Sequence, residues 1–355
     1  MHDLNETISH KENLFGLNVL ELREFAQKHD FPPHTGNQIA SWIYKQEAAD
    51  FSVMTDISED NRDLLWHKAY IDRGRCLTHI SSKDGLTTKY LMQFIDGIAV
   101  ETVLMRQSYG NSICISTQAG CNVQCRFCAS TQRGLERSLT HGEMLAETLY
   151  INNLLKKEDK KVDTIVLMGM GEPLLNYDNV LRYIRLLHEP YTLNLGYRNI
   201  TLSTSGIIPG IRRLINENIP LNLAISLHAA DQETRLKIMP VSEAYPIDEV
   251  VDWAGQYATR TKRRITYEYI MIKDLNDSIE DAKKLVKLIK GQLASVNLIP
   301  INPVSQNNFE RPPRETVLSF KEYLDNNNIS CTIRKEMGED INAACGQLRN
   351  RNIHS

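Results

Sequence analysis

Ser112-Ile-Cys-Ile-Ser-Thr-Gln-Ala-Gly-Cys121-Asn-Val-Gln-Cys125-Arg-Phe-Cys128 is the stretch on which the reading of the fold turns. Ser112 to Ser116 reads as a strand, and three cysteines in the spacing C-x3-C-x2-C follow it. They therefore sit on a loop at a strand's C-terminal end. Thiolates are the ligands of iron–sulfur clusters, and three on one short loop can hold three irons of a cubane. The fourth iron is then left to bind something else. Gly120, just ahead of Cys121, allows a tight turn around such a group. Zinc would normally want four closed ligands, and no second cysteine pair stands at zinc-ribbon spacing. A bare C-x2-C redox pair would leave Cys121 without a role. The residues read as one 4Fe–4S cluster held by Cys121, Cys125 and Cys128.

Outward from this loop the chain alternates. Strand-like runs recur at 164–168, 199–203, 221–226, 265–271, 295–299 and 330–334. Helical patterns lie between most of them, as at 143–156, 180–187, 279–290 and 315–326. Repeated β-then-α units imply an α/β fold, a parallel sheet with helices outside it. About six units predict a complete or partial (β/α) barrel, which carries its chemistry at the C-terminal ends of the strands. Ahead of the barrel, Asp84-Gly85 and the β-like runs 87–94 and 98–105 read as a small antiparallel extension. Residues 14–70 look helical. Leu14, Leu17, Leu20, Leu22 and Phe25 give one apolar stripe, and further stretches start at Asn37 and Ser58. Core packing accounts for these stripes. The expected organisation is an N-terminal helical domain (1–75), a β extension (76–104) and a barrel core with a C-terminal cysteine segment (105–355).

The 355 residues are 42% hydrophobic and 24% charged, as in an ordinary globular protein with room for two domains. No apolar run approaches the length of a membrane helix, and Met1 to Glu12 lacks the pattern of a signal peptide. A cytoplasmic location without membrane contact is expected. The net charge is −3, from 41 basic and 44 acidic residues, which neither announces nor excludes a nucleic-acid partner. Candidate phosphate contacts are Arg126, Arg133 and Arg137, with a second basic run at Arg260, Lys262, Arg263 and Arg264. The lysines from Lys156 to Lys161 read as a solvated helix end. Seven cysteines, an odd number without a secretion signal, argue against a disulfide framework.

Met168-Gly-Met-Gly171-Glu172-Pro173 follows the second of the barrel strands. Alone, such a string is most often a plain turn. Its glycines would let the backbone approach a ligand, and Glu172 would offer a carboxylate to an ammonium. Together with the cysteine triplet, which has an aromatic residue before its last member, it resembles the radical S-adenosylmethionine (SAM) superfamily. In that superfamily this segment meets the amino group of SAM's methionine part. Further strings narrow the resemblance: Gly171-Glu-Pro-Leu-Leu-Asn176, Thr201-Leu-Ser-Thr-Ser-Gly206, Ala224-Ile-Ser-Leu-His-Ala229, Asn297-Leu-Ile-Pro-Ile-Asn-Pro303 and Asp340-Ile-Asn-Ala-Ala-Cys345-Gly-Gln-Leu348. In this order, over residues from about 75 to 348, they are similar to the RlmN/Cfr family of RNA adenine methyltransferases. That family has a radical SAM partial barrel, a small N-terminal helical accessory domain that helps bind RNA, and a short β extension.

The resemblance implies an unusual chemistry. Adenine C2 is not a nucleophile, so a direct SN2 transfer from SAM fails. The family first methylates a cysteine, matching Cys345, because a thiolate is a good nucleophile. A second SAM is then cleaved to a 5′-deoxyadenosyl radical, which takes a hydrogen from the S-methyl group. The carbon radical adds to the adenine ring. A second cysteine, matching Cys114, resolves the protein–RNA adduct and leaves a transient Cys114–Cys345 disulfide. Glu101 matches a family glutamate given general-base duty. Gly171, Glu172, Ser203, Ser226, Leu227, His228 and Asn302 match the SAM site, with two SAM used per turnover.

From the residues alone, Cys114 could be a buried core thiol, Cys345 a small residue at a helix start, Glu101 a solvated carboxylate and His228 a satisfied core histidine. Cys76 and Cys331 match no family role and read as structural. Asn342 departs from the family, whose members often carry Asp there, which puts in doubt any role for a carboxylate at that position. The implied partners are 23S rRNA, tRNA and an electron donor such as flavodoxin or ferredoxin, with the chain acting as a monomer. The alternative is Cfr-like methylation at C8, associated with antibiotic resistance. Ala129-Ser-Thr-Gln-Arg-Gly134 and Leu174-Leu-Asn176 look more like the C2 group. An iron–sulfur scaffold without catalysis would need neither Cys114 nor Cys345, and both are present.

Overall fold

A computed structural model describes residues 10–302, 308–335, 337–344 and 346–348. The chain opens with α1 (Val19–Lys28), α2 (Thr35–Ala40) and α3 (Glu59–Lys68). Leu14 and Leu17 do not belong to the first helix. Asn18 caps it: its side chain accepts from the amides of Leu20 and Glu21, and Glu21 reaches back to the Asn18 amide. Such a reciprocal cap fixes where the helix starts. The residues ahead run extended, and Glu12–Asn13 pair in parallel with Ala69–Tyr70. Tyr44 holds the junction, accepting from the Gly16 amide at 2.9 Å and donating to the Leu17 carbonyl at 2.6 Å.

The rest is built on one sheet. Its strands are β1 (Arg75–Ser81), β2 (Thr87–Gln93), β3 (Ala99–Gln107), β4 (Gly110–Cys114), β5 (Thr164–Leu167), β6 (Ile200–Thr204), β7 (Asn222–Ser226), β8 (Ile265–Met271), β9 (Ala294–Pro300) and β10 (Ser330–Ile333). They lie side by side in chain order, β1 to β4 antiparallel and β4 to β10 parallel. The crossovers carry α4 (His141–Lys156), α5 (Tyr177–His188), α6 (Ile208–Asn216), α7 (Gln232–Ile238), α8 (Ile247–Thr261), α9 (Ile279–Leu288) and α10 (Arg314–Asn326). This is the α/β partial barrel that the alternation predicts. The antiparallel strands are not a separate layer: they continue the barrel sheet through β4. Arg75–Ser81 is a third strand that the sequence reading did not expect, and the Asp84-Gly85 turn joins it to β2.

Strand β8 shows how the barrel divides its residues. Ile265, Tyr267, Tyr269 and Met271 pack outward into the main core beneath the helices. The alternate residues Thr266, Glu268 and Ile270 line cavities inside the barrel. A strand's period of two makes one face core and the other lumen. Burying each large outward side chain contributes roughly 1.5–3 kcal/mol.

Two edges remain, at β10 and β1, and the chain after β10 spans the open side. The Lys83 amide donates to Asp340 Oδ2 at 2.9 Å, and Gly338 sits against Thr87. Farther along, Ala129 N donates to the Gly346 carbonyl at 2.7 Å, and Ser130 Oγ to the Leu348 carbonyl at 2.8 Å. The segment thus runs from the β1–β2 hairpin to the cysteine loop.

Glu147, on α4, is fully buried beneath β3 and the end of β4. One oxygen accepts from Thr102 Oγ1 and from the Ser116 amide. Burial pushes its carboxyl up to about 8 from an ordinary 4.5. Between those values the native state holds a proton that the unfolded state lacks, so this group's contribution declines as pH rises through the window. Glu147→Gln keeps the shape and removes the titration. In urea unfolding, the variant is expected to gain stability relative to the wild type between about pH 5 and pH 8. A difference that stays flat with pH would mean that Glu147 is ionised in the native protein.

Candidate functional site

A short hairpin, Gln118–Gly120 against Leu135–Ser138, frames the cysteine loop. Gly120 has φ +77°, and a Cβ there would lie 1.9 Å from the Gly134 carbonyl oxygen, so the turn excludes a side chain. The Cys121 amide donates to that same carbonyl at 3.1 Å. The three cysteines line one cavity of about 150 Å³. Burial pushes the Cys121 thiol up to about 12 and Cys125 well above its ordinary value, and the neighbouring thiols add to both shifts. Thiols in such surroundings give up their protons to a metal that replaces the charge. Among the described residues no three His, Cys, Asp or Glu side chains converge on a single ion. A cubane asks instead for one thiolate per iron around a common cavity. The residues fit that group.

The Gly-Glu-Pro segment forms the cavity's next wall. Gly171 has φ +100°, and a Cβ would fall 2.5 Å from Gln118 Cβ. Gln118 accepts from the Glu172 amide at 2.8 Å and donates to Ser138 Oγ at 3.1 Å. Glu172 accepts from the amides of Leu174 at 3.0 Å and Ser205 at 2.7 Å. Burial raises its pKa and these donors pull it back, so an ammonium beside it would favour the charged form. Ser203 and Ser226, on adjacent strands, bring their hydroxyls to 3.5 Å at the same wall.

His228 is both a satisfied core histidine and a cavity residue. Its Nδ1 accepts from the Ile270 amide at 3.0 Å, so in the neutral ring Nε2 carries the proton. Burial lowers its pKa to about 3, with Arg235 adding to the shift. Phe127 meets it edge-on at 4.9 Å. Asn302 also lines the cavity. The Leu227 side chain is not brought there. It is fully buried in the main core, and its carbonyl accepts from Arg235 Nε at 3.1 Å.

A larger cavity of about 600 Å³ fills the lumen and is lined by Cys114, Val103, Ala343 and Ala344 among others. Glu268, Asn302, Arg334 and Leu348 are shared by the two cavities. Glu101 is not a lining residue. It is buried on β3 and ion-paired with Lys89 at 2.9 Å. Cys345 lies outside the described residues. Its neighbour Ala344 lines the large cavity, and Gly346 lines the cysteine cavity. Cys114 is buried at the end of β4, and Cys331 is buried on β10. Asn342 takes a left-handed conformation, φ +51°, which Asn and Asp both tolerate better than most residues.

Sequence reading missed Gln118, Lys89 and Arg235. Arg235 is wholly buried, and its guanidinium donates to the carbonyls of Leu227, Tyr245, Ser205 and Ser226. It ties the ends of β6 and β7 into one floor, and burial lowers its pKa to about 10. A lone arginine in a polar helix gives no sequence signal of such a place. Of the candidate RNA contacts, Arg137 is engaged by Asp96 and Glu143, and Arg263 by Asn222. Arg264 lines the lumen, while Arg126 and Arg133 are exposed.

The barrel and its cysteine loop define a radical SAM enzyme. The profile of the Radical SAM superfamily matches residues 115–288, and that of the ribosomal RNA large subunit methyltransferase N-terminal domain matches 12–71. Probable dual-specificity RNA methyltransferases RlmN from Symbiobacterium thermophilum and Clostridium acetobutylicum are each 46% identical over 96% of this chain, and 92% and 98% of their own lengths. The crystal structure of a radical SAM methyltransferase from Sphaerobacter thermophilus superposes with a TM-score of 0.91 at 39% identity, covering 95% of this chain and 99% of that one. The chain belongs to the RlmN family of SAM-dependent radical RNA methyltransferases. Membership implies a 4Fe–4S cluster and SAM, and no helix among the described residues is long and apolar enough to cross a membrane.

Gly171→Ala forces a side chain into a left-handed position against Gln118. SAM binding by the cluster-loaded protein is expected to weaken by at least about tenfold in calorimetry, a loss of about 1.4 kcal/mol. The cluster's absorbance should persist. Wild-type affinity would mean that this wall does not meet SAM.

Proposed function

We propose that this chain methylates C2 of a specific adenosine in 23S rRNA, at the peptidyl-transferase centre, and of the adenosine 3′ of the anticodon in tRNA. The observation that supports this best is the position of the C-terminal segment: Ala344 faces the cavity of Cys114, and Gly346 faces the cavity of the three cluster cysteines. Cys345 stands between them in sequence. The reading gives Cys345 both tasks, collecting a methyl group and delivering it, and its two neighbours in sequence line the two cavities those tasks need.

Cys121, Cys125 and Cys128 would hold the cluster, which when bound supplies the electron that cleaves SAM to a 5′-deoxyadenosyl radical. Glu172, Ser203, Ser226, His228 and Asn302 would bind SAM. The neutral His228 adds a fixed Nε2–H donor without adding charge. Cys345 accepts the methyl group on sulfur, gives up one of that group's hydrogens to the 5′-deoxyadenosyl radical, and bonds to the base through the carbon radical that remains. Glu101 takes the proton from the adduct, whose unpaired electron would return to the cluster. Cys114 attacks the Cys345 sulfur, forming the Cys114–Cys345 disulfide as the base leaves and its methylene carbon takes up a proton to become the methyl group. The target adenosine must leave its stack to enter the lumen. An electron donor of the flavodoxin or ferredoxin class, a cytoplasmic setting and a monomeric enzyme complete the proposal.

The test is anaerobic reconstitution with reductant, SAM and unmodified rRNA or tRNA, followed by digestion and mass spectrometry of the nucleosides. The expected product is 2-methyladenosine from both RNAs, absent in Cys345→Ala and Cys114→Ala. The Cys114→Ala protein should retain RNA covalently. An 8-methyladenosine product would overturn the C2 assignment. SAM cleavage without any methylated adenosine would overturn the RNA substrate.

A further inference from the structure

We propose that Lys89 is a positioning residue that holds Glu101 and the Asn342 turn, three residues ahead of Cys345, in register with each other beside the large cavity. The inference rests on the proposed function and adds a residue to it. The Lys89 ammonium lies 2.9 Å from Glu101 Oε1 and donates to the Asn342 carbonyl at 3.1 Å. One side chain thus joins the base to the backbone three residues ahead of Cys345.

The strand register explains why Lys89 can do this. Lys89 is paired with Val103, and Val103 with Cys114. Residues opposite one another share a face of the sheet, and Glu101, two positions from Val103, shares it too. Val103 and Cys114 line the large cavity. Lys89, Glu101 and Cys114 therefore share one face of the sheet, and of the three Cys114 lines the cavity itself. In β3, which runs opposite to β4, Glu101 is displaced from Cys114 toward the C-terminal ends of the barrel strands, where the cysteine loop lies.

Burial makes the contact consequential. The Lys89 and Glu101 side chains are only 15% and 9% exposed. In so enclosed a place little water screens the two charges from each other, so the pair fixes the direction of the carboxylate. An ammonium has three donors, enough for the carboxylate and the carbonyl together. The left-handed turn at Asn342 belongs to the same arrangement, because it sets the carbonyl that Lys89 reaches. Asp340 and Gly338 hold the start of the segment against the β1–β2 hairpin, and Lys89 extends that hold to the base. The step that needs Glu101 charged and the Cys345 segment in place at once is proton removal from the protein–RNA adduct.

The full-length, cluster-loaded enzyme is incubated with SAM, reductant and substrate RNA. Methylated Cys345, covalent adduct and methyladenosine are each quantified, and the melting temperature of every variant is measured. Lys89→Met is expected to methylate Cys345, accumulate adduct and lose about 10²-fold in methyladenosine, the lower range of a general base's contribution. Lys89→Gln, which keeps a donor for Asn342 but no charge for Glu101, is expected to behave alike. Lys89→Arg should recover product. Wild-type product from the Met and Gln variants would overturn the proposal. So would parallel loss of Cys345 methylation, adduct and melting temperature without rescue by Arg, which is the signature of a purely structural residue. A wild-type enzyme that leaves Cys345 unmethylated overturns the parent reading, and the role of Lys89 falls with it.

Discussion

Strand β4 is the constraint on which the molecule depends. On one side it pairs antiparallel with β3, and on the other it pairs parallel with β5. That double pairing welds the hairpin strands to the barrel. It also brings Cys114 opposite Val103 and sends the chain directly into the cysteine loop. A slip of one residue in either ladder would turn Cys114 from the lumen into the core beneath the helices. The acceptor wall, the thiol within it and the cluster loop above it are consequences of one register.

Around this register the protein arranges buried charge as fixed scaffolding. Arg235 draws together the carbonyls at the ends of β6 and β7. Glu172 is held by two backbone amides, and His228 by the Ile270 amide. These groups are oriented before any ligand arrives. A site that binds a sulfonium cofactor beside a cluster gains from such preorganisation, since little has to turn when charge develops. The thiols show the converse: buried together, they are poor acids on their own and fit a group that brings positive charge with it.

Much of this was legible in the sequence because it is local. The cysteine triplet fits within one loop, the Gly-Glu-Pro segment follows one strand, and the strand-and-helix alternation is written as a change of period. The barrel strands fall within a few residues of where the pattern puts them. The first helix began later than its apolar stripe suggested, because the Asn18 cap outweighs the periodicity. The strand Arg75–Ser81 escaped notice because it is an edge strand, largely exposed, with no alternation of burial to betray it. Gln118, Lys89 and Arg235 escaped for a different reason. Each acts through partners far away in sequence: Gln118 through Glu172, Lys89 through Glu101 and Asn342, Arg235 through four separate carbonyls.

The sequence by itself therefore determined the class of protein, the cysteine triplet to which the proposal gives the cluster, and the succession of strands and helices along the chain. Those depend on residues close enough along the chain to be read together. Tertiary structure alone decided that Leu227 turns into the core while its neighbours Ser226 and His228 face the cavity. It also decided that the C-terminal segment spans the open side of the barrel, and that a lysine of the hairpin meets a glutamate of the next strand beneath it. These are matters of burial and of which distant groups share a low-dielectric space. A side chain's charge, partner and orientation there are set by what surrounds it, not by what precedes it.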